Sequence, residues 1–171
     1  MLYHNYCHTI DVVNQTELIG IGKGVSDEHL LLLKTAALFH DAGHVIQSPN
    51  HEFYSTEIAR EWLPKYGYLP NQIDTICEII MATQLPPEPN NLLEMIICDS
   101  DLDYLGRADF IPGSNALFEE LKAQNIITDL NEWNKLQVRF LSTHQFFTAT
   151  SQRLREVNKQ SQINRIEKLI V

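Results

Sequence analysis

The chain is short of cysteine, of positive charge and of long apolar runs, and each shortage removes a class of protein. Cys7, Cys77 and Cys98 lie far apart in 171 residues. They are odd in number and form no Cys-x-x-Cys pair, so a disulfide scaffold and a zinc ribbon are not expected, and a reducing compartment is. Only 13 Lys and Arg stand against 22 Asp and Glu, a net charge of −9. That deficit argues against nucleic acid or an anionic membrane as partner, because both call for a basic patch. It leaves a phosphate-bearing substrate open, since a metal ion can supply local positive charge. No apolar run reaches transmembrane length and no signal peptide is evident, which makes a soluble cytoplasmic protein the expectation. Convincing period-two alternation, internal repeats and low-complexity stretches are also missing.

What is there is helical. At 44% hydrophobic residues the chain can build a core. A first helix is expected from Tyr3 to about Leu18, with Gly20, Gly22 and Gly24 marking a loop. Ser26, followed by Asp27 and Glu28, reads as an N-cap with first-turn acids. The helix it opens runs through Leu30, Leu31, Leu32, Leu33, Ala36, Ala37 and Leu38, broken only at Lys34, to about His40. It is apolar nearly all round, so it should lie in the middle of the domain. Ser48-Pro49 predicts the start of a third helix ending near Gly67, and Pro70 the start of a fourth. Pro86-Pro87-Glu88-Pro89 is a stiff loop. Further helices are expected over Leu92 to about Leu105, over Asn115–Asn125 after a turn at Ile111–Ser114, after a cap at Asp129, and from Arg153 to Ile170. The fold class is all-α, a compact multi-helix bundle of about seven to nine helices.

The central apolar helix ends in His40-Asp41-Ala42-Gly43-His44. Buried imidazoles and carboxylates are costly unless paired or bound to a cation. His4 and His8 are four apart and project from one helix face. Asp99, Asp101 and Asp103 crowd the later helix, and either Asp99 or Asp101 could complete a set of two imidazoles and two carboxylates. Such a set suits Zn, Mn, Fe or Mg better than a thiolate-seeking metal. The Asp41 carboxylate could bridge two ions about 3.5–4 Å apart, the spacing of two-metal phosphoryl chemistry.

A His, a His-Asp doublet and a distant Asp on separate helices is the pattern of the HD superfamily of metal-dependent phosphohydrolases, which this chain resembles. Tyr3-His4-Asn5-Tyr6-Cys7-His8-Thr9, His40-Asp41-Ala42-Gly43-His44 and Ser100-Asp101-Leu102 are also similar to catalytic segments of cyclic-nucleotide phosphodiesterases. The overlap runs from about Tyr3 to Gly106. It implies a helical bundle with the metal site between helices: residues 1–171 as one domain, with a metal-binding core over 1–110 and a helical extension over 111–171 packed on it. It implies His8, His40, Asp41 and Asp101 as metal ligands, Asp101 being favoured over Asp99 by the Ser-Asp-Leu match. His4 and His44 are implied as catalytic groups, the first protonating the leaving oxygen and the second lying near a bridging water. Asn50-His51-Glu52 resembles a segment lining the substrate pocket, which makes His51 and Glu52 substrate-binding candidates. One or two divalent ions (Mn, Mg, Fe, Zn, Co or Ni) would be the cofactor, and a metal-activated water would cleave a phosphomonoester or phosphodiester, with a nucleotide as candidate. The nucleotide-clamping glutamine and aromatic region of the phosphodiesterases is missing, so the small stand-alone HD proteins are the better comparison. Motif-like residues begin at Tyr3, which leaves room for an upstream helix. A homodimer is a candidate assembly, and neither nucleic acid nor membrane is an expected partner. Two alternatives stand beside the hydrolase: a di-iron HD-fold oxygenase using His44 and His51 as further ligands, and a non-enzymatic metal- or nucleotide-binding sensor.

Overall fold

The computed structural model describes residues Met1–Val171. It contains no strand. The helices are α1 (Tyr6–Lys23), α2 (Asp27–Phe39), α3 (His51–Trp62), α4 (Pro70–Met81), α5 (Leu92–Asp101), α6 (Phe110–Ala123), α7 (Leu130–Thr143) and α8 (Ala149–Glu167). Short 3-10 turns occupy Ala42–Val45, Leu63–Tyr66 and Asp103–Gly106. The all-α class expected from the sequence holds, and the eight α-helices fall within the expected number. No helix is long and apolar enough to cross a membrane. The chain forms two compact units, Tyr6–Asp101 and a second made of Met1–Asn5 with Leu102–Val171.

In the Tyr6–Asp101 unit, α2 packs against α1, α3, α4 and α5. Its start is the predicted one: Ser26 Oγ accepts a hydrogen bond from His29 N at 3.2 Å. Leu32, Leu33, Ala36 and Ala37 are buried on its inner face, and the two alanines keep that face thin enough for neighbours to approach. The helix is less enclosed than its composition predicts. Leu31 and Leu38 are 51% and 50% exposed; seven residues apart, they lie on one outward stripe.

The predicted glycine loop is only partly a loop. Gly20 and Gly22 lie inside α1, which runs on to Lys23. Gly20 is buried, and a Cβ there would sit 3.0 Å from a Leu30 methyl, so the bare backbone lets α1 lie close to α2. Gly24, at φ +68°, is the glycine that ends the helix. The third helix begins at His51, after Asn50 turns the chain through the left-handed region at φ 57°, and not at Ser48-Pro49. α4 starts at Pro70 as predicted, with Leu69 N donating to Gln72 Oε1 at 3.0 Å.

In the second unit, Leu102, Leu105, Phe110, Leu141, Phe146, Ile163 and Ile166 form the core. The expected turn at Ile111–Ser114 is instead the opening of α6. Pro112 sits where a helix has no acceptor for its amide hydrogens, so its missing N–H costs nothing there. α5 ends at Asp101 and not near Leu105. α8 begins four residues before Arg153, because Thr148 Oγ1 accepts from Ser151 N at 3.2 Å and caps it there. The cap at Asp129 is as expected, its carboxylate accepting from Glu132 N at 2.8 Å.

His144 joins α7 to α8. Neither ring nitrogen has a hydrogen-bond partner, and Phe146 meets the ring edge-on at 4.6 Å. Lys159 Nζ donates to the His144 carbonyl and pairs with Glu156 at 2.8 Å. Burial and then the Lys159 charge push the imidazole down to about 4, against a smaller opposing pull from Glu156. The folded state therefore resists a proton that the unfolded chain accepts near 6.5. Stability held above pH 6.5 should drain away as the pH falls towards 4, by about 2–3 kcal/mol after allowing for the ring's partial exposure. Urea unfolding of wild type and His144→Gln between pH 7 and 4 checks this. Equal losses in the two proteins would assign the acid sensitivity elsewhere.

Candidate metal centre

The Tyr6–Asp101 unit brings four side chains from three separate stretches to one place. His8 lies in the first turn of α1, His40 closes α2, Asp41 follows it, and Asp101 is the last residue of α5. His8 Nε2 is 3.1 Å from Asp101 Oδ1 and 3.5 Å from Asp41 Oδ2. His40 Nε2 is 3.3 Å from Asp41 Oδ2 and 3.4 Å from Asp101 Oδ1. Two nitrogens and two oxygens thus face each other at the spacing of ligands about 2.0–2.2 Å from a shared ion.

The tautomers sharpen the point. His40 Nδ1 lies 2.8 Å from the Ala37 carbonyl, which can only accept, so Nδ1 carries the hydrogen. Nε2 is left without a hydrogen-bond partner although the ring is 1% exposed. A neutral imidazole then points a lone pair at two carboxylates, a repulsive arrangement unless a proton or a metal ion lies among them. Burial opposes the charge on His40, but Asp41 and Asp101 outweigh it and hold the imidazole well above its ordinary value. Burial likewise resists the charge on Asp101, yet His40 and His8 keep that carboxyl far below the usual range. Both directions express the same demand for positive charge, and the donor set fits a divalent cation. His8, His40 and Asp41 offer ligand atoms all within 4.8 Å of one another.

The other oxygen of Asp41 faces a second pair of imidazoles. His44 Nε2 is 3.8 Å and His51 Nε2 is 3.4 Å from Asp41 Oδ1, and the two rings stack with centroids 3.8 Å apart. His44 lies in the Ala42–Val45 turn, and His51 is the first residue of α3. His51 Nδ1 is 3.1 Å from the Ser48 carbonyl, so here too the hydrogen sits on Nδ1 and Nε2 faces the carboxylate. Burial lowers the affinity of His51 for a proton, but Asp41 and Glu52 more than offset it and raise the pKa. Glu52 is buried, with Oε1 3.6 Å from His51 Nε2.

Of the two candidate aspartates, Asp101 is the one beside His8 and His40, while Asp99 is buried at 1% exposure and not on the surface. His4 belongs to the other unit, where its Nδ1 lies 2.5 Å from Glu120 Oε1. The Tyr3 and His4 amides donate to Glu120 Oε2 at 2.8 and 3.3 Å. Glu120 escaped the sequence reading because nothing in the pattern of α6 separates this buried acid from its exposed neighbours. Ser55 escaped it too. Its only trace in the sequence is its place one helical turn after His51.

The HD domain profile matches residues 5–103. An uncharacterized protein of Clostridium beijerinckii is 33% identical over 82 residues, covering 46% of this chain, and the match spans 52% of that relative's length. No solved structure matches the chain. The matched stretch is more than half of the chain and contains both imidazole pairs with the two aspartates they face, and on that basis the chain belongs to the HD domain family.

Proposed function

We propose that this protein is a metal-dependent phosphohydrolase that cleaves a phosphomonoester or phosphodiester, a nucleotide being the preferred candidate, at a site taking two divalent cations. HD domain proteins are typically metal-dependent hydrolases. The placement of Asp41 carries the assignment: one oxygen faces His8 and His40, the other His44 and His51. A carboxylate shared in this way suits two ions about 3.5–4 Å apart, the arrangement that stabilises attacking and leaving oxygens in phosphoryl transfer. When bound, the cations supply Lewis acidity and make water a nucleophile at neutral pH.

The chain's own residues do the remaining work. His8, His40, Asp41 and Asp101 would hold one cation, and Asp41, His44 and His51 would hold the other. The Ala37 and Ser48 carbonyls fix the tautomers that free Nε2 for binding. Glu52 adds negative charge beside His51 and favours a cation there. His4 takes the proton-donating role implied by the phosphodiesterase resemblance, and Glu120 Oε1, 2.5 Å from Nδ1, orients its ring. A cytoplasmic setting suits three cysteines that form no disulfide.

Mono-, di- and cyclic nucleotides and simple phosphate esters, assayed with Mn, Mg, Co and Fe, test the proposal. Metal-dependent phosphate release that disappears in Asp41→Ala is expected. No bound metal after gentle purification, together with no release under any of these ions, would rule it out. The His44–His51 pair also favours a second reading, a di-iron oxygenase. Iron in the purified protein, oxygen uptake and no phosphate release would select it.

A further inference from the structure

The end of α2 is stapled to α3 by one buried hydroxyl. Ser55, 0% exposed, donates from Oγ to the His40 carbonyl at 2.7 Å. The same oxygen accepts from Gly43 N at 2.8 Å. The two backbone groups it joins bracket Asp41, which has left helical geometry at φ −101°, ψ 1°. Ser55 stands one turn after His51 on α3, so the two share a helix face. The seam is tight: a Cβ on Gly43 would fall 1.9 Å from the His51 carbonyl oxygen. The hydroxyl therefore sets the position of the Asp41 turn against the helix that carries His51.

We propose that Ser55 is a positioning residue that registers Asp41 Oδ1 against His44 and His51, so that its hydroxyl governs the second cation more than the first. The inference rests on the two-cation reading above. The first set shares Asp41 and the stapled His40 carbonyl, but it has anchors that do not pass through α3. His8 and Asp101 come from α1 and α5, and His40 is held through Ala37, within its own chain segment. The second set needs α3 and the end of α2 to keep their register, and Ser55 Oγ is the hydrogen-bonding atom that joins them at both sides of Asp41.

Calorimetric titration of the full-length apoprotein with Mn2+, with electron paramagnetic resonance to detect paired ions, tests this. Wild type should bind two ions. Ser55→Ala should keep the first affinity within about twofold and weaken the second by about 10-fold or more, the size of effect expected when a ligand loses its support. The control is Thr56→Val on the next residue, whose hydroxyl donates to Phe53 O at 2.7 Å and does not touch the turn. It should leave both affinities unchanged. If Ser55→Ala does not fold, Ser55→Cys, with a weaker donor, should show the same selective loss to a smaller degree. Equal weakening of both sites, no weakening, or a matching loss in Thr56→Val would overturn the role of Ser55 and leave the hydrolase proposal standing. A wild-type protein that binds one ion would overturn the role of Ser55 together with the two-cation site. One that binds none would overturn the hydrolase proposal as well.

Discussion

Asp41→Ala should strip the protein of metal and of turnover together. The carboxylate has contacts on both sides, at 3.3 and 3.5 Å to His40 and His8 and at 3.4 Å to His51. Removing a group that merely hydrogen-bonds a metal ligand already costs about 10–100-fold in affinity. A group that serves two cations should cost more, and hydrolysis should fall below detection. The variant also leaves His8 and His40 with Asp101 as their remaining acidic neighbour among the four converging side chains. Elemental analysis of purified wild type and variant, with phosphate release measured on the same samples, is the check. Wild-type metal content in Asp41→Ala would remove the basis for assigning this residue to the site.

Gly43→Ala should do comparable damage through packing alone. An added Cβ would lie 1.9 Å from the His51 carbonyl oxygen and 2.7 Å from Ser55 N. Both are backbone atoms, so no side-chain rotation can relieve the clash, and the start of α3 has to move. Overpacking of a tight core commonly costs about 1–3 kcal/mol and sometimes more; a clash with rigid backbone belongs at about 3 kcal/mol or above. In a chain of this size that corresponds to a drop in Tm of roughly 6–12 °C. The displaced segment carries His44 and His51, so metal affinity should fall as well. Thermal melts with and without added Mn2+ would show both effects. A variant melting within about 2 °C of wild type would contradict the packing argument.

Local pattern carried most of the helical organisation. Ser26, Asp129 and Pro70 mark helix starts because capping and proline chemistry act over a few residues, and each does so in the structure. The same local logic failed at Gly20 and Pro112. A glycine is needed wherever two helices touch closely, not only where a chain turns, and a proline in the first helical turn loses no hydrogen bond. The exposure of Leu31 and Leu38 was likewise hidden, since periodicity defines a stripe without saying whether another element covers it.

By itself the sequence determined the all-helical class and the roster of His and Asp residues near helix ends, because residue type and spacing are local properties. Only the tertiary structure put Asp101, and not Asp99, beside His8 and His40, set each oxygen of Asp41 against its own pair of imidazoles, paired His4 with Glu120 and put Ser55 across the His40–Gly43 turn. Those outcomes depend on which faces meet across tens of residues, and the meeting is governed by the packing of whole helices, which no short window of sequence contains.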